Sequence, residues 1–246
     1  MAAVYRRRRR LGLLLLVVVL LVGLGLTARV LLYDVGLADV DRVDLTVTAA
    51  GGAPVGAGGV PALLSEQQLR DAAAVPLGGP LISVDTGAVA DRLRALPAVA
   101  SVEVERDWPH GVALHVVQRT PVAAVQTATG PAMVDATGVV IAGPAAPGLP
   151  GLAVATPGPA DPATLAGVAV LAALPQPVRG QVLTATVTAS PSGGPAQVVL
   201  GLGGSKEVHW GSAERSAEKA AVLVPLLSQP GRIYDVTSPD LPTITR

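Results

Sequence analysis

Residues 83–118 read SVDTGAVADRLRALPAVASVEVERDWPHGVALHVVQ, and the spacing of apolar side chains changes halfway along. Val89, Leu93 and Leu96 recur every three or four positions, the period of an α-helix with one buried face. Asp85 stands where a side-chain oxygen caps such a helix, and Pro97 stops it. From Val99 the period becomes two. Val102 and Val104 alternate with Glu103 and Glu105, and Val112, Leu114 and Val116 alternate likewise beyond the Pro109–Gly111 turn. The stretch therefore predicts a helix over 86–96 and then an antiparallel hairpin.

Working upstream, Ser65 with Gln68 makes a capping box and Leu64 with Leu69 a hydrophobic staple, so another helix begins here and ends before Pro76. Val43, Leu45 and Val47 alternate with polar residues, as in a half-buried strand over 40–48. Residues 49–63, rich in Gly, Ala and Pro, form a loop. The order from Val40 is strand, helix, helix, strand, strand. Two helices cover one face of a three-stranded sheet, which makes residues 40–119 a compact α+β domain.

Downstream, residues 120–238 read as a second, mainly β domain. Short apolar runs at 122–126, 132–134 and 139–142 are separated by Gly, Pro and Asp-Ala-Thr-Gly turns. A helix is expected over 164–174, and strands over 181–188, 196–202 and 206–210, the last two joined by a turn at Gly203, Gly204 and Ser205. Ser212 is placed to cap a helix carrying Val222, Leu223 and Leu226, which Pro225 kinks or ends. Residues 233–237 form a last short strand, and residues 239–246 are a Pro-punctuated tail.

The first 39 residues have a different texture. Residues 11–28, LGLLLLVVVLLVGLGLTA, carry no charge. As a helix they span about 27 Å, close to a bilayer's hydrocarbon core. With Arg29 snorkelling to the interface, the apolar run continues towards Tyr33. The expected layout is a cytoplasmic basic N-terminus over 1–10, a transmembrane helix over 11–32 and a linker over 33–39. The block Arg6–Arg10 orients the helix with its N-terminus inside. The run is longer than the apolar core of a signal peptide and lacks a small-x-small site, so it reads as an uncleaved anchor. Everything after Tyr33 then lies outside the cytoplasm. That part holds 12 basic and 18 acidic residues, a net of −6, with no basic patch for nucleic acid. The absence of cysteine excludes disulfides, thiolate zinc sites and iron–sulfur clusters.

Candidate chemistry is sparse. Of the three histidines, His110, His115 and His209, the first falls in a turn while His115 lies on the strand face opposite Val112, Leu114 and Val116, so these two do not converge on a metal. Ser216 and Lys219 match S-x-x-K of acyl-serine enzymes, but the chain has no Asn and no Lys-Thr-Gly strand. On a helix the same pair reads as a solvated face. Gly201–Lys206, GLGGSK, lacks phosphate-loop spacing and sits between two strands. No catalytic residues, cofactor or metal are expected.

Six motifs in order then carry a resemblance. They are GGPLISVDTGAVADRLRALPAVASVEVERDWP (78–109), QRTPVA (118–123), VDATGVVI (134–141), LPGL (149–152), VHWGSAERSAEKAAVL (208–223) and IYDVTSPDLPTITR (233–246). Together the sequence resembles the FtsQ/DivIB family of bacterial cell-division proteins, of actinobacterial type. It departs in Gln118, where the family usually has Glu, and in Ile141, where it usually has Phe. The resemblance implies a POTRA domain followed by an FtsQ-type β domain. It also implies a non-catalytic septal scaffold in the cytoplasmic membrane, with FtsB- and FtsL-like partners and others of FtsK, FtsW and FtsI types. Arg106, Trp108 and Pro109 become structural, with Trp108 packing at the sheet's end, while Arg119 and Pro121 set the domain junction. The expected docking strand is Ile233, Tyr234, Asp235, Val236, Thr237 and Ser238, lying at a sheet edge with Trp210 alongside. The competing reading is a POTRA-bearing chaperone or secretion module, which would need repeated POTRA units or a transmembrane barrel.

Overall fold

The computed structural model describes residues 16–27, 29–30, 38–56, 60–190 and 193–246. Residues 16–27, 29 and 30 are helical. The rest of the expected 11–32 span, the Arg6–Arg10 block and most of the 33–39 linker lie outside the described residues. Among the described residues no helix is long and apolar enough to cross a membrane. The chain divides into two compact units: residues up to Thr48 with Leu64–Val117, and Ala49–Leu63 with Gln118–Arg246.

The first unit has the order β1 (Arg42–Ala49), α1 (Glu66–Ala73), α2 (Thr86–Arg94), β2 (Val99–Asp107), β3 (Gly111–Gln118). Its sheet runs β1-β3-β2. The three-residue link between β2 and β3 leaves room only for an antiparallel hairpin. Both helix starts are local devices. The Ser65 hydroxyl accepts from the Gln68 amide at 3.2 Å, and the Gln68 side chain accepts from the Ser65 amide at 2.8 Å. Asp85 accepts from the Ala88 amide at 3.0 Å. Leu69 and Ala73 of α1 and Val89, Ala90 and Leu93 of α2 bury against Val99, Val102, Val112, Leu114 and Val116 of the sheet. Guanidinium groups tie the frame together. Arg92 donates to the Ala73 carbonyl at 2.6 Å, satisfying the end of α1. Arg106 donates to the carbonyls of Leu81 and Val84 at 3.2 and 2.7 Å, holding the short 3₁₀ turn Leu81–Ser83 to the end of β2.

The second unit is one nine-stranded sheet with helices. Its strands are β4 (Pro121–Thr127), β5 (Gly130–Asp135), β6 (Val140–Ala142), β7 (Gly151–Ala153), β8 (Val182–Thr188), β9 (Gln197–Leu202), β10 (Lys206–Gly211), β11 (Ile233–Asp235) and β12 (Thr243–Thr245). They lie in the order β12-β11-β10-β9-β8-β7-β4-β5-β6. The helices are α3 (Pro162–Ala173), α4 (Gln176–Arg179) and α5 (Ser216–Leu226). Asp161 caps α3 and accepts from both the amide and the hydroxyl of Thr164, at 2.8 and 2.7 Å, with Pro162 in the first turn. Val168, Val170, Leu171 and Leu174 enter a core with Val125, Val134, Leu152, Val198 and Leu200. Gly167 lets α3 approach this closely: a Cβ there would stand 2.5 Å from a Leu152 methyl and 2.9 Å from a Val187 methyl.

The segment before α1 has a specific attachment inside the second unit. The buried Gln118 side chain accepts from the Leu63 amide at 2.9 Å and donates to the Pro61 carbonyl at 2.8 Å. Arg119 donates to Asp135 at 2.8 Å. Burial alone would raise the Asp135 carboxyl pKa. Hydrogen bonds from Thr137, Arg119 and the Val139 and Thr137 amides outweigh that and hold it below the ordinary carboxylate range. Pro121 begins β4 at a bulge against β5.

Candidate partner-binding edge

The C-terminal side of the large sheet is built by three strands and α5. The hairpin β9–β10 is antiparallel and turns at Gly203–Ser205, as expected. β11 then pairs parallel to β10, with Val208 opposite Tyr234. β12 pairs antiparallel to β11, with Ile244 opposite Tyr234. The strand at Ile233 is therefore neither the last nor an edge. Residues 239–246, read as a tail, supply the edge strand itself, β12. A proline just before so short a strand is tolerated at an edge, and Pro242 followed by Thr-Ile-Thr was the available signal.

This topology turns the expected docking side chains inward. Tyr234 is fully buried, and its hydroxyl donates to the carbonyls of Gln229 and Gly231 at 2.9 and 3.0 Å. Val236 is buried, and its amide donates to the His209 carbonyl at 3.0 Å. Trp210 is also buried, and its indole N–H donates to the Ser216 hydroxyl at 3.2 Å. Ile233 and Asp235 are half-buried, whereas Thr237 and Ser238 are exposed. The Asp235 carboxylate accepts from the Thr237 amide at 2.9 Å. On β12, Thr243 and Thr245 are exposed while Ile244 packs on the core.

The S-x-x-K pair does not form the expected solvated face. Lys219 is 2% exposed, and its ammonium donates to the carbonyls of Trp210 and Ser212 at 3.0 and 2.8 Å. Burial lowers its pKa from the ordinary lysine value. The Ser216 hydroxyl donates to the Ala213 carbonyl at 2.7 Å, away from Lys219. Helix α5 begins after Arg215, in a left-handed conformation at φ 54°, and Ser212 does not cap it. Arg215 instead reaches Glu218 and Asp240, at 2.6 and 2.9 Å, pinning the segment that leads into β12. The exposed ion pairs raise the Arg215 pKa and lower those of Glu218 and Asp240.

In the first unit Arg106 occupies the structural role described above, but Trp108 does not pack. It is 52% exposed, because β2 ends at Asp107 and the in-out alternation stops with it. Pro109 follows it in the exposed turn. The three histidines stay apart in role: His110 contacts the Asp39 carbonyl at 3.1 Å, His115 is exposed on β3, and His209 is half-buried on β10. Among the described residues no group of three or more His, Cys, Asp or Glu could hold a metal ion.

A three-stranded sheet under two helices, followed along the chain by a larger sheet, defines a POTRA-bearing protein. Residues 59–119 match the family model described as "POTRA domain, FtsQ-type". The chain is 42% identical over 182 residues to the cell division protein FtsQ of Mycobacterium leprae, covering 74% of this chain and 52% of the relative. To that of Mycolicibacterium smegmatis it is 43% identical over 182 residues, covering 74% of this chain and 53% of the relative. It is 38% identical over 237 residues to that of Streptomyces bingchenggensis, covering 92% of this chain and 82% of the relative. The chain belongs to the FtsQ family. It spans about half the length of the mycobacterial relatives it matches.

Proposed function

We propose that this chain is a membrane-anchored, non-catalytic scaffold of cell division, docking FtsB- and FtsL-like partners on its outer region at the septum. The family's printed name supplies the process, and the apolar run at 11–28 supplies the anchor. The observation that carries the docking reading is β12, a three-residue strand at the end of a nine-stranded sheet. An edge strand has a row of backbone donors and acceptors on its outer side, and a partner strand pairs with that row. Thr243 and Thr245 are exposed and flank the row, while Ile244 holds the strand to the core. The docking strand is thus shifted from residues 233–238 to residues 243–245.

A binding isotherm between the full chain in detergent and an FtsB-like partner peptide tests this. Proline placed in turn at Thr243, Ile244 and Thr245 removes one N–H at each position. Where that donor faces away from β11, affinity should fall by about tenfold or more, for a backbone bond worth about 1 kcal/mol plus the lost register. Circular dichroism serves as the folding control. Unchanged affinity in all three variants moves the docking site to α5.

A further inference from the structure

We propose that the end of the first unit formed by residues 38–42, 77–84 and 106–110 rests on the bilayer surface, with Trp108, Ile82 and Leu77 seated in the lipid interface. The proposal rests on the reading of residues 11–32 as an anchor. Its own basis is a set of backbone bonds that gathers three chain segments into one place. The Leu81 amide donates to the Ala38 carbonyl at 2.7 Å, and the Val40 amide to the Gly79 carbonyl at 2.9 Å. The Asp41 and Arg42 amides donate to the His110 carbonyl at 2.9 and 3.2 Å. Arg106 closes the knot through Leu81 and Val84.

Between Ala38 and Val117, the exposed large apolar side chains among the described residues are Leu77, Ile82 and Trp108, at 66%, 43% and 52%. Each adjoins this knot in sequence: Leu77 precedes Gly78, Ile82 follows Leu81, and Trp108 lies between Arg106 and His110. The knot is also where the chain arrives, since Ala38 is bonded into it. Seven residues, or eight Cα–Cα steps, separate Ala38 from helical residue 30, a reach of at most about 28 Å when fully extended. A domain tethered that closely, with its apolar side chains collected at the tethered end, matches a lipid interface, where tryptophan is the preferred anchor.

The charges at this end specify the kind of surface. Arg42 bonds to Asp44 at 3.0 Å and also to Asp107, and Asp41 lies 3.6 Å from His110. Among the described residues of these three segments both guanidinium groups, Arg42 and Arg106, are occupied by carboxylates and carbonyls, so these segments offer anionic lipid no unpaired basic group. The contact is apolar insertion into a zwitterionic interface.

The chain has two tryptophans, one exposed and one buried, so the difference in emission between wild type and Trp108→Phe belongs to Trp108. The full chain is reconstituted into phosphatidylcholine vesicles containing lipids brominated near the headgroup. The Trp108 emission should be quenched by at least about half, with little change in high salt. Replacing Leu77 and Ile82 by serine should reduce that quenching. A chain that fails to float with the vesicles overturns the anchor reading and this inference with it. A chain that floats while aqueous iodide, and not bromolipid, quenches Trp108 overturns this inference alone. Protection from both quenchers means that protein covers the residue, and overturns it as well.

Discussion

Tyr234 shows how much one side chain decides at the scale of a residue. Its ring fills the second core and its hydroxyl serves two carbonyls in the loop before β11. Tyr234→Phe should cost about 1–2 kcal/mol through those orphaned carbonyls. Tyr234→Ala should cost about 3–5 kcal/mol through the cavity. Denaturant melts measure both, and a Tyr234→Ala variant that binds its partner weakly while melting like wild type would put the ring at an interface instead. Gln118 poses a different problem, since it both accepts and donates while buried. A carboxylate there cannot donate to Pro61. Burial would raise its pKa above the ordinary value of about 4.3, so the unfolded state loses its proton first as pH rises. The Gln118→Glu penalty is then small near pH 4 and grows through the raised pKa, towards about 1–3 kcal/mol at pH 7. Melting both proteins at the two pH values checks the sign, and an equal gap at both contradicts it.

At the scale of elements, local devices and long-range pairing were unequally legible. Ser65, Gln68 and Asp85 announce their helices because a cap is a bond between near neighbours. The alternation of Val112, Leu114 and Val116 is long enough to assign a buried face, and all three are buried. β11 and β12 have three residues each, too few for a period to show which side chains point inward. Nor does any local pattern reveal that β11 lies parallel to β10 and is covered by β12, so the sequence alone puts Tyr234 at a docking edge. The burial of Lys219 is illegible for a related reason: its carbonyl partners come from the end of β10 and the turn after it, a tertiary arrangement. Helix α3 is the case where packing demands one residue type. Its approach to Leu152 and Val187 leaves no room for a branched side chain at Gly167. Gly167→Val should destabilise the second unit by about 1–3 kcal/mol, more than the same change at exposed Gly203, by thermal melting. Equal effects at the two sites would mean that α3 stands off the sheet.

For the whole molecule, charge and composition make a claim about placement that can be tested cleanly. Five arginines stand at positions 6–10, ahead of the apolar run, and the region beyond Tyr33 carries 12 basic and 18 acidic residues, a net of −6. On the proposed anchor reading, the arginine block is expected to hold the N-terminus on the cytoplasmic side, because basic flanks resist translocation. The chain has no cysteine, so a single introduced thiol reports one position without background. Ala128 lies exposed in the turn between β4 and β5, where a cysteine disturbs nothing buried. Ala3 precedes the arginine block. In intact cells a membrane-impermeant maleimide should label Ala128→Cys and spare Ala3→Cys until the cells are lysed. Replacing Arg6–Arg10 with serine should blur that contrast by allowing a fraction of chains to insert the other way. Labelling of Ala3→Cys in intact cells with Ala128→Cys protected reverses the topology. In that case β12 would face the cytoplasm, and any partner strand would have to be cytoplasmic too.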